Sequence, residues 1–596
     1  MKVVLLALML MGSVGFCQIQ NNQTEQLADT YFERGEFEKA LIRYQGLHEE
    51  FPNNQQFLFK LVKTHQQLEQ YAEAEKLLNS RLVKRESPAL LAELGYNFEL
   101  QDQKEKAQTY YQKAISKISD NPIYASSLAR QFETHSLLEE AVTVYKKGME
   151  LNPTVNFNYQ LARLYGEMGN IELLFESYIN YVAAKPDFLN NAKRLISDFV
   201  SENKENENNS ILRRLLIKRI QEQPDVHWYE MLSWLFIQEK EFGKAFTQEK
   251  ALYKRNPESL SRIIDLAVTA VNDEDFETAK DIFNYILETS QNPPTVLMAH
   301  QYLLDIETKE AEPTKLDGIH KKYQSLFETY GTYEQTLALQ IAYADFLSFH
   351  LHQPKDAAAF LKKSLDLPLS PFQVATVKLK LGDILVFEEK FNEALIYYSQ
   401  IQANLKNSTV SQEARFKVAK TSYYKGDFKW AESQLKILKS STSQLIANDA
   451  LDLKLLISDN IQEDSLHVAL KLYAKADLLA FQNKKEEAIS VLDQILENHK
   501  GESIEDQALV KQAQLYEERK DYQKAADNYE YVIANYRDGI LADDAHFFLA
   551  ELYRNELAQP EKAKSLYETL LFEHEDSIYF IEARKQFRML RGDAIN

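Results

Sequence analysis

Apolar residues recur every three to four positions over most of the 596-residue chain, which is the pattern of amphipathic α-helices. One small residue recurs inside these segments at longer intervals, and we call each occurrence an anchor. The intervals are 33 or 34 residues in the first half and mostly 37 or 38 in the second, while intervals of 71 and 78 each fit two degenerate units. The anchors are Ala40, Ala74, Ala107, Ala141, Ala245, Ala279, Ala357, Ala394, Ala431, Ala488, Ala525 and Ala563, with Leu174 in the same slot once.

A second small residue precedes nearly every anchor. It stands twelve positions before the anchor in ten of thirteen units, and thirteen before it in two units whose turn contains an extra residue. These residues are Ala28, Gly95, Ala129, Ala162, Ser233, Ala267, Gly382, Ala419, Ala476 and Ala513, then Ala344 and Ala550, and Val62 alone breaks the rule. Two small residues at this separation let two antiparallel helices approach closely. The sequence therefore predicts repeated helix pairs.

Aromatic residues and prolines keep the same register. An aromatic stands four positions after the anchor in eight of thirteen units, as in Tyr44 and Tyr398. Another aromatic stands three before it in seven units, at the predicted start of the second helix. In the first half, prolines such as Pro52 and Pro153 follow twelve positions after the anchor, where they end that helix.

This helix-turn-helix unit resembles the tetratricopeptide repeat (TPR), most clearly from Leu27-Ala28-Asp29-Thr30-Tyr31 through Gly35-Glu36-Phe37-Glu38-Lys39-Ala40 to Pro52. The resemblance extends over nearly all of residues 24–571. It implies an all-α fold, a right-handed α-solenoid of antiparallel helix pairs with about 15 units, some of them degenerate. It also implies a concave surface that binds proteins or peptides, and it implies no chemistry.

The repeat changes character along the chain, so we predict four segments. Residues 1–17 are a signal peptide, 18–294 an N-terminal TPR array, 295–335 an irregular helical connector, and 336–596 a C-terminal TPR array with a closing helix. The 57-residue interval between Ala431 and Ala488 accommodates one extra helix, capped within Ser441–Ser443.

The chain begins with an export signal: Lys2, the apolar run from Val3 to Met11, and a cleavage site ending at Cys17. Cys17 is the only cysteine, and it is either removed with the signal or lipidated. We expect an exported protein of the periplasm or the outer-membrane periphery, with no integral membrane span. The start, with Gly382-Asp383-Ile384-Leu385 and Tyr423 to Phe428, resembles exported cell-envelope TPR proteins of Bacteroidota, and the longer second-half units resemble the envelope subset of these repeats.

Composition and motifs narrow the function. The net charge of −20 would repel a phosphate backbone, so we expect no nucleic-acid partner. We find no phosphate-binding glycine loop, no zinc-protease motif and no nucleophile elbow. His350 and His352 are too poorly spaced to predict a metal site. We therefore predict no enzyme activity, no catalytic residues, no metal and no cofactor.

The candidate binding residues lie eleven and eight positions before the anchors, on the first helix of each pair. We expect these positions to face neither the partner helix nor the next repeat, so that they can contact a ligand. In the first half they are Tyr96, Arg130, Arg163 and Trp234, with Tyr159 one turn before Arg163, and in the second half they include Asp383, Lys420 and Tyr423, with Tyr424 adjoining. Glu25 and Asp29 occupy the stripe where carboxylate-gripping TPR domains carry Lys and Asn, so we do not expect that activity here.

Three functions remain open at this stage. The first is a non-catalytic protein-protein interaction scaffold of the cell envelope, which binds envelope or outer-membrane proteins in the concave TPR groove. The second is a glycan- or peptidoglycan-binding envelope protein, with Tyr159, Trp234, Tyr423 and Tyr424 stacking on sugar rings. The third is a hydrolase site within residues 292–335, which would require titratable groups converging in one pocket.

Overall fold

A computed structural model describes residues 24–438, 443–461 and 467–593 of the chain. The predicted signal peptide, including Cys17, and the candidate capping residues Ser441 and Thr442 lie outside the described residues. By its internal contacts the chain divides into two compact units, one ending at Glu239 and the other beginning at Lys240. The change of repeat character predicted near residue 294 therefore falls inside the second unit.

The described part of the first unit is built of α-helices joined by short turns. Two 3-10 turns, Pro186–Phe188 and Ser197–Phe199, flank α11. The helices are α1 over residues 24–33, α2 Phe37–Glu50, α3 Gln55–Gln67, α4 Tyr71–Lys84, α5 Pro88–Glu99, α6 Lys104–Asp120, α7 Tyr124–Thr134, α8 Leu138–Leu151, α9 Asn158–Glu167, α10 Ile171–Ala184, α11 Leu189–Ile196, α12 Glu207–Glu222 and α13 Val226–Gln238.

The second unit continues the same architecture. Its short irregular elements are the 3-10 turns Pro313–Lys315 and Glu334–Thr336 and the π-helical turn Phe346–His350. The helices are α14 Phe242–Arg255, α15 Ser261–Asn272, α16 Phe276–Thr289, α17 Pro293–Glu310, α18 Leu316–Tyr330, α19 Leu337–Asp345, α20 Pro354–Ser364, α21 Pro371–Phe387, α22 Phe391–Asn404, α23 Thr409–Tyr424, α24 Phe428–Leu438, α25 Gln444–Asn460, α26 Val468–Phe481, α27 Lys485–Asn498, α28 Glu505–Glu518, α29 Tyr522–Asn535, α30 Ala542–Asn555, α31 Pro560–Glu573 and α32 Phe580–Arg591.

The predicted all-α fold is confirmed, since the described residues contain helices and turns but no β-strand. Within each unit the most extensive contacts join a first helix to the second helix that follows it, as in α5 with α6 and α21 with α22. The second helix then packs against the first helix of the next pair, as α22 does against α23. Among the helices of the described residues, none combines the length and the hydropathy that crossing a lipid bilayer requires.

The anchors form the core, as their spacing predicts. All thirteen, Leu174 included, are buried with at most 2% of their surface exposed. The small residues that precede them are buried as well, and so is Val62. The aromatic side chain four positions after the anchor lies over the small residue of the first helix: the ring of Tyr111 covers Gly95, and the ring of Tyr398 covers Gly382. The close helix approach therefore depends on a missing side chain beneath an aromatic ring.

In each of the thirteen units with an anchor, the turn between the first and the second helix contains a residue with a left-handed backbone, five positions before the anchor. Three of these residues are glycines, Gly35, Gly169 and Gly426. The other ten are not: Glu69, Asp102, Ser136, Lys240, Glu274, His352, Glu389, Asn483, Lys520 and Ala558. A side chain at positive φ is strained, so the packing of the two helices enforces this turn where local preference opposes it.

Residues 295–335 are more regular than the predicted irregular connector. They contain most of α17 and all of α18, and the two helices place Leu304 and Tyr323 in one hydrophobic cluster with the anchors Ala357 and Ala394. The segment is therefore part of the core of the second unit.

The extra helix predicted between Ala431 and Ala488 is present as α25. The Ser443 side chain accepts a hydrogen bond from the backbone N–H of Ile446 and so caps its first turn. The predicted closing helix is α32, whose Ala583 is buried in the last hydrophobic cluster with Ala563 and Tyr567.

The first prediction tests the close approach at Gly95. A Cβ at this position would lie 2.5 Å from Cε1 of Tyr111, a ring that is itself buried. We expect Gly95→Ala to lower the free energy of unfolding of the first unit by about 1–3 kcal/mol through overpacking. Gly46→Ala is the matched control, because a Cβ there meets no atom within 4 Å. It should stabilise α2 by about 1 kcal/mol, and equal calorimetric melting temperatures for the two variants would contradict this account.

The second prediction tests the enforced turn. Glu69 is exposed and has φ +57°, so Glu69→Gly removes the backbone strain. We expect a gain in unfolding free energy of about 0.5–1 kcal/mol, after allowing for the greater freedom of glycine in the unfolded chain. Lys76→Gly, at an exposed position inside α4, should instead cost about 0.5–1 kcal/mol. Chemical denaturation of both variants decides the sign, and a loss of stability in Glu69→Gly would refute the proposed strain.

Candidate functional site

The aromatic residue after the anchor carries a hydroxyl group into the core, and this group needs a partner. In six units it is a tyrosine that donates a hydrogen bond to a carboxylate on the first helix of its own pair. The pairs are Tyr44 with Asp29 (2.5 Å), Tyr145 with Glu133 (2.7 Å), Tyr398 with Asp383 (2.7 Å), Tyr529 with Glu517 (2.6 Å), Tyr111 with Glu99 and Tyr567 with Glu551. The carboxylates stand at the positions that the sequence assigns to ligand binding.

A lysine from the next repeat then approaches the same stripe. It stands fourteen positions before the anchor of its own unit, and its ammonium group pairs with the aspartate of the preceding unit. The four pairs are Lys60 with Asp29 (2.6 Å), Lys380 with Asp345 (2.6 Å), Lys417 with Asp383 (2.9 Å) and Lys511 with Asp477 (3.3 Å). We call this arrangement the lysine–aspartate ladder. Sequence analysis missed it, although the constant spacing of these lysines is a detectable signal.

The ladder explains why the first repeat carries acidic residues at the positions where carboxylate-binding TPR domains carry Lys and Asn. Lys60 binds both Glu25, at 2.9 Å, and Asp29, and Asp29 also accepts the hydroxyl of Tyr44. Both acidic side chains are therefore used to join neighbouring repeats.

The candidate residues of α5 and α7 lie in different environments. Tyr96 is half-buried and stacks on the ring of His135, with 3.6 Å between the ring centroids. His135 in turn contacts the buried carboxylate of Glu93 at 2.7 Å. Arg130 is exposed, and no ion pair joins it to another described residue. Of these two candidates, Arg130 is the one whose charged group is available to a partner.

The remaining first-unit candidates are partly engaged. Arg163 on α9 pairs with Glu133 of the preceding repeat and with Glu167. Tyr159 is 37% exposed and its ring lies within 6.4 Å of Tyr178, Tyr181 and Phe188. Trp234 on α13 is half-buried.

The second-unit candidates include one clear correction. Tyr423 is fully buried, with 0% of its surface exposed, and packs against Phe428, so the expectation that it can contact a ligand is wrong. The residue lies in the last turn of α23, in a hydrophobic cluster with Ala431 of α24, Ala450 of α25 and Ala476 of α26. Tyr424 is half-buried against Phe481, and Lys420 pairs with Asp477 at 2.5 Å. Of the four aromatic residues assigned to sugar stacking, Tyr423 is therefore inaccessible, whereas Tyr159 is 37% exposed and Trp234 and Tyr424 are half-buried.

Two clefts open on the first helices of the second unit. The larger, cleft A, has a volume of about 860 Å³ and is lined from α15, α17, α18, α19 and α21. The smaller, cleft B, has a volume of about 760 Å³ and is lined from α23, α25, α26, α28 and α30 and from the start of α32. Sequence reasoning predicted a groove on this face but neither of these clefts.

Cleft A brings several titratable groups together. Asp305 of α17 lines it beside Asp345, Lys380 and His350. Burial, with a smaller contribution from the negative charge of Asp345, raises the pKa of Asp305 to about 6. Hydrolysis by a nucleophile needs a base hydrogen-bonded to that nucleophile. Among the described lining residues, the hydrogen-bonded pair of titratable groups is Lys380 with Asp345 at 2.6 Å, and this pair belongs to the lysine–aspartate ladder.

Metal binding finds no support either. Within residues 24–438, 443–461 and 467–593, no group of three or more His, Cys, Asp or Glu side chains is arranged to hold a metal ion.

These features define an all-α protein of repeated helix hairpins with clefts on its first helices. Models described as tetratricopeptide repeat match residues 26–54 and 473–540, so the chain contains TPR units in both the first and the second unit. A search of the curated proteins finds no match to this chain.

Solved structures of similar length also align with the chain. A chain in the structure of Naa15/Naa10 bound to HypK-THB has 11% identity and a TM-score of 0.27, with 97% of each chain covered. A chain in the APC/C hetero-tetramer Cut9-Hcn1 has 14% identity and a TM-score of 0.25, with 96% of each covered. At these TM-scores the likenesses add nothing to the argument about this chain.

The third prediction concerns Asp305. Because its pKa is about 6 in the folded protein and near 4 in an unfolded chain, the carboxyl stays protonated longer in the folded state. Its contribution to stability is therefore lost as the pH rises from about 4 to 6. The Asp305→Asn variant has no ionisable group at this position. We therefore expect its free energy of unfolding to exceed that of the native protein by about 1–2 kcal/mol above pH 6, and by almost nothing below pH 4.

The control is Asp317→Asn on α18. A hydrogen bond from Lys321 holds the pKa of Asp317 below its usual value, so this variant should gain no stability at neutral pH. Thermal unfolding of both variants between about pH 4 and pH 8 supplies the comparison. If the effect of Asp305→Asn on the free energy of unfolding did not change with pH, the folded protein would not disfavour ionisation of Asp305.

Proposed function

We propose that this protein is a non-catalytic interaction scaffold of the cell envelope, which holds partner proteins or peptides on the first helices of its repeats. TPR units are present, and the TPR fold suggests protein partners. The observation that carries the proposal is the pair of clefts, because each combines apolar and charged side chains from several consecutive repeats. Such a surface fits an extended segment that contacts many helices in succession.

The envelope location rests on the sequence of the first 17 residues, which has the composition of an export signal. The partners are then envelope or outer-membrane proteins, and a peripheral association with the outer membrane follows from binding them. Nucleic acid is disfavoured as a partner, because the chain carries a net charge of −20.

Within the first unit, Arg130 is a separate candidate for contact with a partner. It is an exposed arginine at a first-helix position, and arginine is enriched among the residues that dominate interface energies.

The fourth prediction uses site-directed photocrosslinking in cells. A photoreactive amino acid at Gln335 in cleft A or Gln514 in cleft B should crosslink a defined envelope protein. The same group at Ile396, an exposed position on the second helix α22, is the control and should give no specific product. Adducts are identified by mass spectrometry in the envelope fraction. Identical products from the cleft and control positions would refute partner binding in the clefts. Recovery of the protein in the cytosol would refute its location in the cell envelope.

A further inference from the structure

Cleft B contains large apolar side chains that are exposed to solvent. Ile540 and Ile578, which border it beside α30 and α32, are 59% and 85% exposed. Leu453 and Leu456 of α25 and Phe416 of α23 also line the cleft. Apolar groups gathered in one concave site are a common feature of surfaces that bind another molecule.

The charged side chains of cleft B are unequally matched. Five aspartates line it, and its two lysines, Lys420 and Lys511, both pair with Asp477. The other four carboxylates are Asp449, Asp452, Asp459 and Asp544. Within the described parts of the chain, none of these four forms an ion pair, although Asp544 accepts a hydrogen bond from Tyr579 at 2.9 Å. The cleft therefore has a surplus of negative charge.

The surplus charges act on one another across the cleft. Partial burial of the otherwise exposed Asp452 on α25 raises the pKa of its carboxyl, and the nearby carboxylate of Asp449 raises it further. Burial also raises the pKa of Asp544 on α30, with smaller contributions from the charges of Asp543 and Asp452. Negative charges on two different helices thus oppose each other, and a positive group placed between them would be stabilised by both.

We infer that cleft B binds a cationic segment of a partner protein, in which lysine or arginine side chains stand next to apolar ones. The positive side chains pair with Asp449, Asp452 and Asp544, while the apolar ones cover Ile540 and Ile578. This inference rests on the proposed scaffold function and adds the chemistry of the partner to it.

Other classes of ligand fit the cleft less well. An acidic peptide or a phosphate group would meet four carboxylates that no lysine balances. A neutral sugar would leave those charges unpaired and the isoleucines without a complementary surface. A bound metal ion is not supported, since the described residues hold no cluster of metal-ligating side chains.

The fifth prediction is a binding experiment on the full chain with a fluorescent peptide of alternating lysine and leucine. We expect saturable binding, followed by fluorescence anisotropy near physiological salt. Two matched peptides separate the contributions, one with glutamate in place of lysine and one with serine in place of leucine. The glutamate peptide should not bind, and the serine peptide should bind more weakly than the parent.

The decisive variant is the double change Asp449→Asn and Asp452→Asn. Both side chains are exposed and make no hydrogen bond to another described residue, so the fold should be unaffected. We expect affinity for the lysine–leucine peptide to fall about five- to thirtyfold, the effect of removing two partly screened charge pairs. The control is Glu487→Gln with Glu497→Gln, which removes the same charge from exposed positions on α27, outside the cleft. It should change affinity by less than about twofold.

Equal affinity of the two double variants would overturn the inference, because binding would then follow net charge alone. Failure of the lysine–leucine peptide to bind the native chain would overturn it as well. In both cases the scaffold proposal survives if Gln514 still crosslinks one envelope protein. If the cleft positions crosslink no specific protein, the scaffold proposal fails together with this inference.

Discussion

The structure depends on the close contact between a small residue on the first helix and the second helix of the same pair, which carries an aromatic residue four positions after the anchor in eight of the thirteen units. At Gly95 and Gly382 even a methyl group would enter the ring of the facing tyrosine. This contact sets the distance between paired helices, and hence the register of every other position in the repeat. It also explains why alanine, glycine and serine fill one position while the positions around it vary freely.

The same contact determines which polar residues the first helices need. The hydroxyl of the buried tyrosine ring requires an acceptor, and a carboxylate of the first helix accepts its hydrogen bond, as Asp383 does from Tyr398. The carboxylate has remaining acceptor capacity, which Lys417 of the next repeat satisfies at 2.9 Å. Core packing and contacts between repeats are thus linked through one acidic side chain. The stripe that a TPR protein offers to ligands is here partly occupied by the protein's own charges.

The fold could be predicted from the sequence because the small residues that are buried between paired helices recur at regular intervals along the chain. The anchors were identified from their spacing, the extra helix α25 from a long interval with capping residues and an apolar period, and the closing helix α32 from its polar, basic sequence. The left-handed turns were not, since ten of the thirteen are occupied by residues other than glycine and the strain is imposed by packing. The burial of Tyr423 was missed because position within the repeat predicts the direction of a side chain, but not that the inserted helix α25 and the next helix α26 contribute to the cluster around it. Clefts A and B are each lined by helices from several repeats. No local sequence pattern indicates that these helices come together.

At α25, the helix inserted between two repeats, the lysine–aspartate ladder no longer pairs each aspartate with a lysine. In a regular array each aspartate meets a lysine from the next unit, but α25 stands outside that register and brings Asp449 and Asp452 without a matching lysine. Lys511 of α28 pairs with Asp477 as a regular pair of the ladder, and Lys420 of α23 pairs with the same aspartate, so neither lysine is left for Asp449 or Asp452. An inserted helix that leaves charges unmatched costs stability, and such local exceptions to an otherwise consistent design are expected at functional positions. The departure from the repeat, more than the repeat itself, therefore supports the proposal that cleft B is the site that binds a partner.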